Sequence, residues 1–217
     1  MSTQGNTNQS TMGASGIFTY KWTHTVLELT AGGMGATSKP AATLAAAGVT
    51  SRYVTLAEQY YAAEKLQWKL SDRNYAFEKA GWEKNRFAGI DARVDGTAGL
   101  GRELVKTEVH NLILELGGGY VNEQRMHADR LQFASGRSYA RYCLVLSPTS
   151  SFSQDGEYLH DFQHPKGYRG NAESALVSTI STHISLKVSY GYKHVNDPVA
   201  GFRRDDSLTS AALIVNY

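Results

Sequence analysis

The chain has 217 residues, a formal net charge of +2 and only 19% charged side chains, and no basic run is interleaved with aromatics, which argues against a nucleic-acid face. Its 21 glycines and 13 tyrosines against 4 prolines favour many strands and turns in one all-β domain over 1–217. The longest apolar stretch, 41–49, is far short of the roughly 20 residues a membrane helix needs, so only β-strands could carry this chain across a bilayer.

In chain order, "TQGNTNQ" at 3–9 is suited to a hairpin tip, because Asn and Gly tolerate the tight backbone of a turn. No charged segment followed by an apolar one marks a secretory signal at the start. Strands are then predicted over 10–20, 23–32, 52–69 and 74–86. Two of them are irregular. In 59–69 either phase leaves Glu64 or Lys65 among the aromatics, which predicts a bulge or strand end; in 74–86 the phase changes between Tyr75, Phe77 and Ala80, Trp82.

The next elements alternate cleanly. "DARVDGTAGLGR" sets Ala92, Val94, Gly96, Ala98 and Leu100 against Arg93, Asp95 and Thr97. "NLILELGGGY" sets Leu112, Leu114, Leu116 and Tyr120 against Glu115. "SYARYCLVL" sets Ala140, Tyr142, Leu144 and Leu146 against Arg141 and Cys143. Strands over 150–161 and 171–180 follow. "HISLKVSYGYK" then places Ile184, Leu186, Val188, Tyr190 and Tyr192 opposite Lys187 and Lys193, and "SLTSAALIVNY" ends the chain with Leu213, Val215 and Tyr217 on one face. The apolar faces of these five clean strands carry no charge.

Connections alternate in length. Short ones are expected at 21–22, 71–73, 105–110, 147–149 and 181–182, and longer ones at 33–51, 87–90, 122–136, 162–170 and 194–207. Short turns on one rim and long loops on the other is the arrangement of outer-membrane barrels, and strands of ten or more residues exceed the usual soluble length. Aromatics mark both rims: Trp22, Trp68, Tyr75 and Tyr217 towards the short turns, Trp82, Phe87, Tyr120 and Tyr192 towards the long loops. Amphipathic rings favour a lipid–water interface.

The run "LSDRNYAFEKAGWEKNRFAGIDARVDGTAGLGREL", the opening "STQGNTNQS" and the closing "FRRDDSLTSAALIVNY" resemble the salt-induced outer membrane protein family, a domain of unknown function in Gram-negative bacteria. The resemblance covers nearly the whole chain. It implies an outer-membrane β-barrel and no established substrate. It also implies that Leu213, Val215 and Tyr217 form the C-terminal signal read by the barrel-assembly machinery. Even strand counts and a periplasmic start are normal for such barrels, whereas the pattern here supplies about eleven strands. The expectation is therefore an antiparallel up-and-down barrel of twelve strands whose signal peptide and first strand precede these residues.

With the apolar faces against lipid, Arg93, Asp95, Arg102, Glu115, Arg141, Glu173 and Lys187 are the expected lumen-lining side chains. A twelve-stranded lumen lies between filled and open sizes. Such charges either pair into a rigid plug or line a narrow passage for small solutes or ions. A soluble barrel with the apolar faces inward is the other class. His160 and His164 with Asp155 and Asp161 suggest a metal cluster, but Pro165 and the strand pattern oppose the helix that would align them, so no metal or cofactor is expected. A lipid-modifying enzyme could draw on His110, His127 or His183, yet no nucleophile motif marks any of them, and the expectation is no enzyme. The expected partners are outer-membrane lipid and the assembly machinery, with the protein a monomer.

Overall fold

The computed structural model describes residues 2–3, 8–39 and 54–215. Its strands are β1 (Ser2–Thr3), β2 (Asn8–Lys21), β3 (Thr25–Lys39), β4 (Val54–Lys69), β5 (Asn74–Asn85), β6 (Ile90–Lys106), β7 (His110–Arg125), β8 (Leu131–Ser147), β9 (Ser150–Asp161), β10 (Tyr168–Ser181), β11 (Ile184–Val195) and β12 (Asp205–Val215). Each pairs antiparallel with the next in sequence order. β1 is a two-residue piece, so the wall consists of eleven long strands. β2 and β12 are its outer members, and no pairing joins them among the described residues. The predicted hairpin tip at 3–9 falls mostly outside the described residues; Thr3 pairs with Gln9 on either side of it.

Alternation decides which way each strand faces. The apolar sets of β6, β7, β11 and β12 lie outward, with Leu100, Leu116, Tyr190 and Leu213 among the most exposed side chains. Inward positions hold the polar and charged residues, and several of these are fully buried. A soluble barrel with these faces inward is not what the chain forms. The sheet curls strongly: Lys193 on β11 lies 3.9 Å from Glu83 on β5, six strands away. Inner side chains therefore meet partners far along the sheet.

Three expectations are corrected. No bulge interrupts 59–69; Glu64 faces out and Lys65 in, and the register shift of β3–β4 falls between Ala36 and Thr37 instead. The apparent phase change in β5 is absent as well, because Tyr75 and Phe77 are inner residues while Ala80 and Trp82 are outer ones. Tyr75 thus leaves the aromatic girdle for the interior. Loops are also shorter than the pattern suggested: 126–130, 162–167 and 196–204 replace 122–136, 162–170 and 194–207. The strands run on beyond the apolar band because hydrogen bonding between neighbours continues wherever the inner face still packs. Of the loop expected at 33–51, residues 33–39 belong to β3 and 40–51 lie outside the described residues.

The turns have local causes. In the β4–β5 turn the Ser71 hydroxyl accepts from the backbone N–H of Asn74 at 3.1 Å, and in the β6–β7 turn Thr107 Oγ1 accepts from His110 N–H at 2.8 Å. Side-chain oxygens of this kind satisfy turn donors that no strand partner reaches.

Near the long-loop end the interior becomes apolar. Val121, Phe133 and Leu159 pack together there, with Leu131 against them. Leu159→Ala should destabilise the barrel by about 2–3 kcal/mol, since part of the cavity can be filled by relaxation at this open end. Urea titration of protein refolded in vesicles measures it; a loss within 0.5 kcal/mol would mean that this cluster contributes no packing.

Candidate functional site

The interior is built from two ion-paired groups. The lower one centres on Glu115 of β7, which is 1% exposed. Lys65 of β4 pairs with one of its oxygens, the Tyr75 hydroxyl of β5 donates to the same oxygen at 2.7 Å, and Arg137 of β8 donates to the other at 2.9 Å. Arg137 also donates through Nε to Glu157 of β9 at 2.6 Å, and Lys79 of β5 reaches the same carboxylate at 3.4 Å. Phe77 and Tyr139 complete the group. Their rings lie 5.3 and 5.6 Å from the Lys65 ammonium and 5.7 and 4.9 Å from the Arg137 guanidinium. An aromatic face offsets part of what a buried cation loses in hydration, about 1–2 kcal/mol, and the carboxylates supply the rest. The Tyr139 hydroxyl donates to Asp155 at 2.5 Å, and Asp155 lies 3.5 Å from Arg141.

The upper group surrounds Glu123 of β7. Arg125 donates to it at 2.7 Å and the Arg169 guanidinium of β10 lies 2.7 Å away. Arg93 faces Asp95 at 3.6 Å on the same side of the wall. Above this group the loop 196–204 reaches across the outer end. Val199 is buried, the Phe202 ring packs on Gly89, and the Asp197 carbonyl accepts from Arg125 at 3.4 Å. Gly89 has φ +71°, and a Cβ there would lie 2.5 Å from the Phe202 ring, so only glycine fits this contact.

Of the residues expected to line the lumen, Arg93, Asp95, Glu115, Arg141, Glu173 and Lys187 occupy inward positions. Lys187 pairs with Glu173 at 2.5 Å. Arg102 does not join them. It is exposed on the outward face, in phase with Leu100 and Leu104, and its pairing with Asn74 puts it beside the short β4–β5 turn. A long cationic side chain is tolerated beside the turn because it can extend past the end of the apolar outer face into water. Glu103 takes the inner position next to it. Leu213 and Val215 face outward on the last strand, and Tyr217 lies outside the described residues.

Sequence reading missed Lys65, Lys79, Glu123, Arg137, Glu157 and Arg169. Their signal was phase: Arg137 is in step with Arg141, Glu123 with Glu115 and Arg169 with Glu173, each beyond the point where the alternation looked clean. The residues weighed for metal binding separate. Asp155 is held by Tyr139, His160 stacks on Tyr158 and meets Phe162 edge-on, and Asp161 clamps the following loop through Gln163 N–H, His164 N–H and His164 Nδ1. His110 Nδ1 is 2.8 Å from the Tyr142 hydroxyl and His183 Nδ1 is 3.0 Å from Thr182 Oγ1.

The family described as "Protein of unknown function, DUF481" matches residues 1–217. Among curated proteins, the uncharacterized protein YdiY of Escherichia coli (strain K12) is 29% identical over 145 residues, which are 65% of this chain and 54% of that protein. The chain thus spans about half the length of the curated relative it matches. Among solved structures, the NanC porin in its rhombohedral crystal form superposes with a TM-score of 0.56 at 9% identity, over 96% of this chain and 99% of that one. A Pseudomonas aeruginosa FadL homologue gives a TM-score of 0.41 at 10% identity, over 87% and 60%. The first of these likenesses shows a shared all-β barrel fold.

Proposed function

The chain belongs over its whole length to this family of unknown function, and from that premise we propose that it is a monomeric, non-enzymatic β-barrel of the bacterial outer membrane whose charged interior passes small solutes or ions. The observation that carries the reading is uneven filling of the interior. Glu115 and Phe77 are 1% exposed in the middle of β4–β9, whereas the side chains of Glu173 and Lys187 on β10 and β11 remain 42% and 33% exposed on the inner face, and that of Arg141, nearer the short-turn end of β8, 47%. One side is packed and the other is wet. Water-reached charges beside a rigid ion-paired wall are what a narrow selective passage needs.

The outer face supports the setting. Trp22 and Trp68 mark the short-turn end, Trp82, Tyr120 and Tyr192 the other, and all five rings are exposed. Such paired girdles suit a band of lipid about 25 Å tall. In this reading lipid is the main partner, the barrel-assembly machinery recognises the C-terminal strand, and no cofactor takes part. A role in the envelope's response to salt rests on the family resemblance alone and adds no residue to the reading.

Single-channel conductance in planar bilayers tests it. Arg141→Glu and Lys187→Glu each change the inner wall by two charges, so discrete openings are expected whose reversal potential moves towards cation selectivity in a salt gradient. Silent bilayers containing demonstrably folded protein would replace the passage with a plug.

A further inference from the structure

The interior accounts for Lys65, but its neighbour Glu64 is unexplained. Glu64 faces outward on β4, midway between the exposed rings of Trp68 and Tyr60. Each residue of a tilted strand rises about 2.5 Å along the membrane normal, so Glu64 lies roughly 10 Å from either ring of its own strand and about 5 Å below the Trp82 row, on the apolar side of that ring. Its cross-strand partners are Leu29 on β3 and Ala80 on β5. It has no ion pair or side-chain hydrogen bond among the described residues. A bare carboxylate there is costly unless something else covers it.

The surface around it is shaped. One cross-strand row reads Gly16, Ala31, Ala62 and Trp82, and the adjacent row reads Phe18, Leu29, Glu64 and Ala80. The small residues leave a groove of about 740 Å³, walled by Phe18, Leu29 and Trp82. At Gly16 an added Cβ would meet nothing within 4 Å. This volume lies within the 300–1,000 Å³ typical of small-molecule sites.

We propose that this outer groove binds an amphiphilic cation, an alkyl- or arylalkylammonium whose tail lies along the small-residue row and whose ammonium pairs with Glu64. Charge complementarity selects the cation, and the Trp82 ring beside the carboxylate adds a face on which an ammonium is attracted. The volume selects a small molecule over a protein surface. A second copy related by a two-fold axis along the membrane normal would bring outward residues of equal depth together. On β4 that sets carboxylate against carboxylate, which opposes self-association through this face.

The inference rests on the membrane-spanning reading, so flotation of the protein with phosphatidylcholine vesicles is scored first; failure to float would remove that reading. The chain has three tryptophans, so in a Trp22→Phe/Trp68→Phe background Trp82 is the sole emitter. Its quenching by dibromododecylammonium is compared with that by dibromododecanol. The ammonium should reach half-quenching at a concentration at least tenfold lower than in the same protein carrying Glu64→Gln, with the alcohol unchanged between the two. Gly16→Leu, which has space for its side chain, should weaken quenching by the ammonium while leaving vesicle insertion intact. If a floating protein shows the same ammonium quenching with and without Glu64, the carboxylate stands protonated against lipid and the site does not exist. Ammonium quenching that vanishes as the protein-to-lipid ratio rises would instead assign the face to self-association and overturn the proposal.

Discussion

Glu115→Ala should cost about 3–5 kcal/mol of barrel stability, read from urea titrations in vesicles, because it strands two buried cations in one step. Lys65 and Arg137 both depend on this carboxylate, and Tyr75 loses the acceptor for its hydroxyl. Lys65 then keeps no close ion pair among the described residues, only the longer-range charge of Glu28 opposite it on β3, while Arg137 retains Glu157. The remaining cost is therefore concentrated on Lys65, which sits between the Phe77 and Tyr139 rings with little access to water. Glu115→Gln should cost less, since the amide oxygen still accepts from one donor. A combined Lys65→Met, Glu115→Leu, Arg137→Met variant should recover most of the loss, because no charge is left unpaired except Glu157, which keeps Lys79. A loss under 1 kcal/mol for Glu115→Ala would show that water screens the interior and that the packed side is not packed.

Gly119→Ala should prevent a stable barrel from forming, with a penalty of about 3 kcal/mol or more if it forms at all. Gly119 faces inward on β7 opposite Thr97 on β6. A Cβ there would lie 2.1 Å from the Gly96 carbonyl oxygen and 2.9 Å from the Thr97 Cα. These are backbone atoms of the paired strand, so relief requires prising the strands apart and breaking ladder hydrogen bonds. Gly99 is equally tight, with a Cβ falling 2.2 Å from the Leu116 carbonyl oxygen. Glycine at both positions is what allows the backbones of β6 and β7 to approach this closely. Gly96→Ala is the internal control. It faces outward on the same pair of strands with nothing within 4 Å of the added carbon, and should change stability by no more than 0.5 kcal/mol. Unheated gel mobility reports the folded barrel for both variants; a normally folded Gly119→Ala protein would contradict the close approach of β6 and β7 at this position.

The eleven-stranded wall was legible in the sequence, because alternation has a period of two and each strand carries its own record of which face turns outward. Turn residues such as Ser71 and Thr107 are local in the same way. So was the charged character of the inner face, since Arg93, Glu115, Arg141 and Lys187 sit opposite charge-free sets. Phase was ambiguous at Glu64 and Lys65, where both candidates are polar, and in 74–86, where aromatic rings stand on both faces. No local pattern distinguishes an acid facing lipid from a lysine facing a distant acid.

Partners and packing needed the tertiary structure. Lys65 meets Glu115 three strands away and Lys193 approaches Glu83 six strands away. Those distances depend on how far the sheet curls and tilts, a property summed over every strand and written in none of them. The same curl turned Tyr75 from a supposed girdle ring into a donor to Glu115, and it separated the packed middle of β4–β9 from the wetter inner face of β10 and β11, where Glu173 and Lys187 lie. Alternation fixes a side chain's face; only the curl of the sheet decides what it touches there.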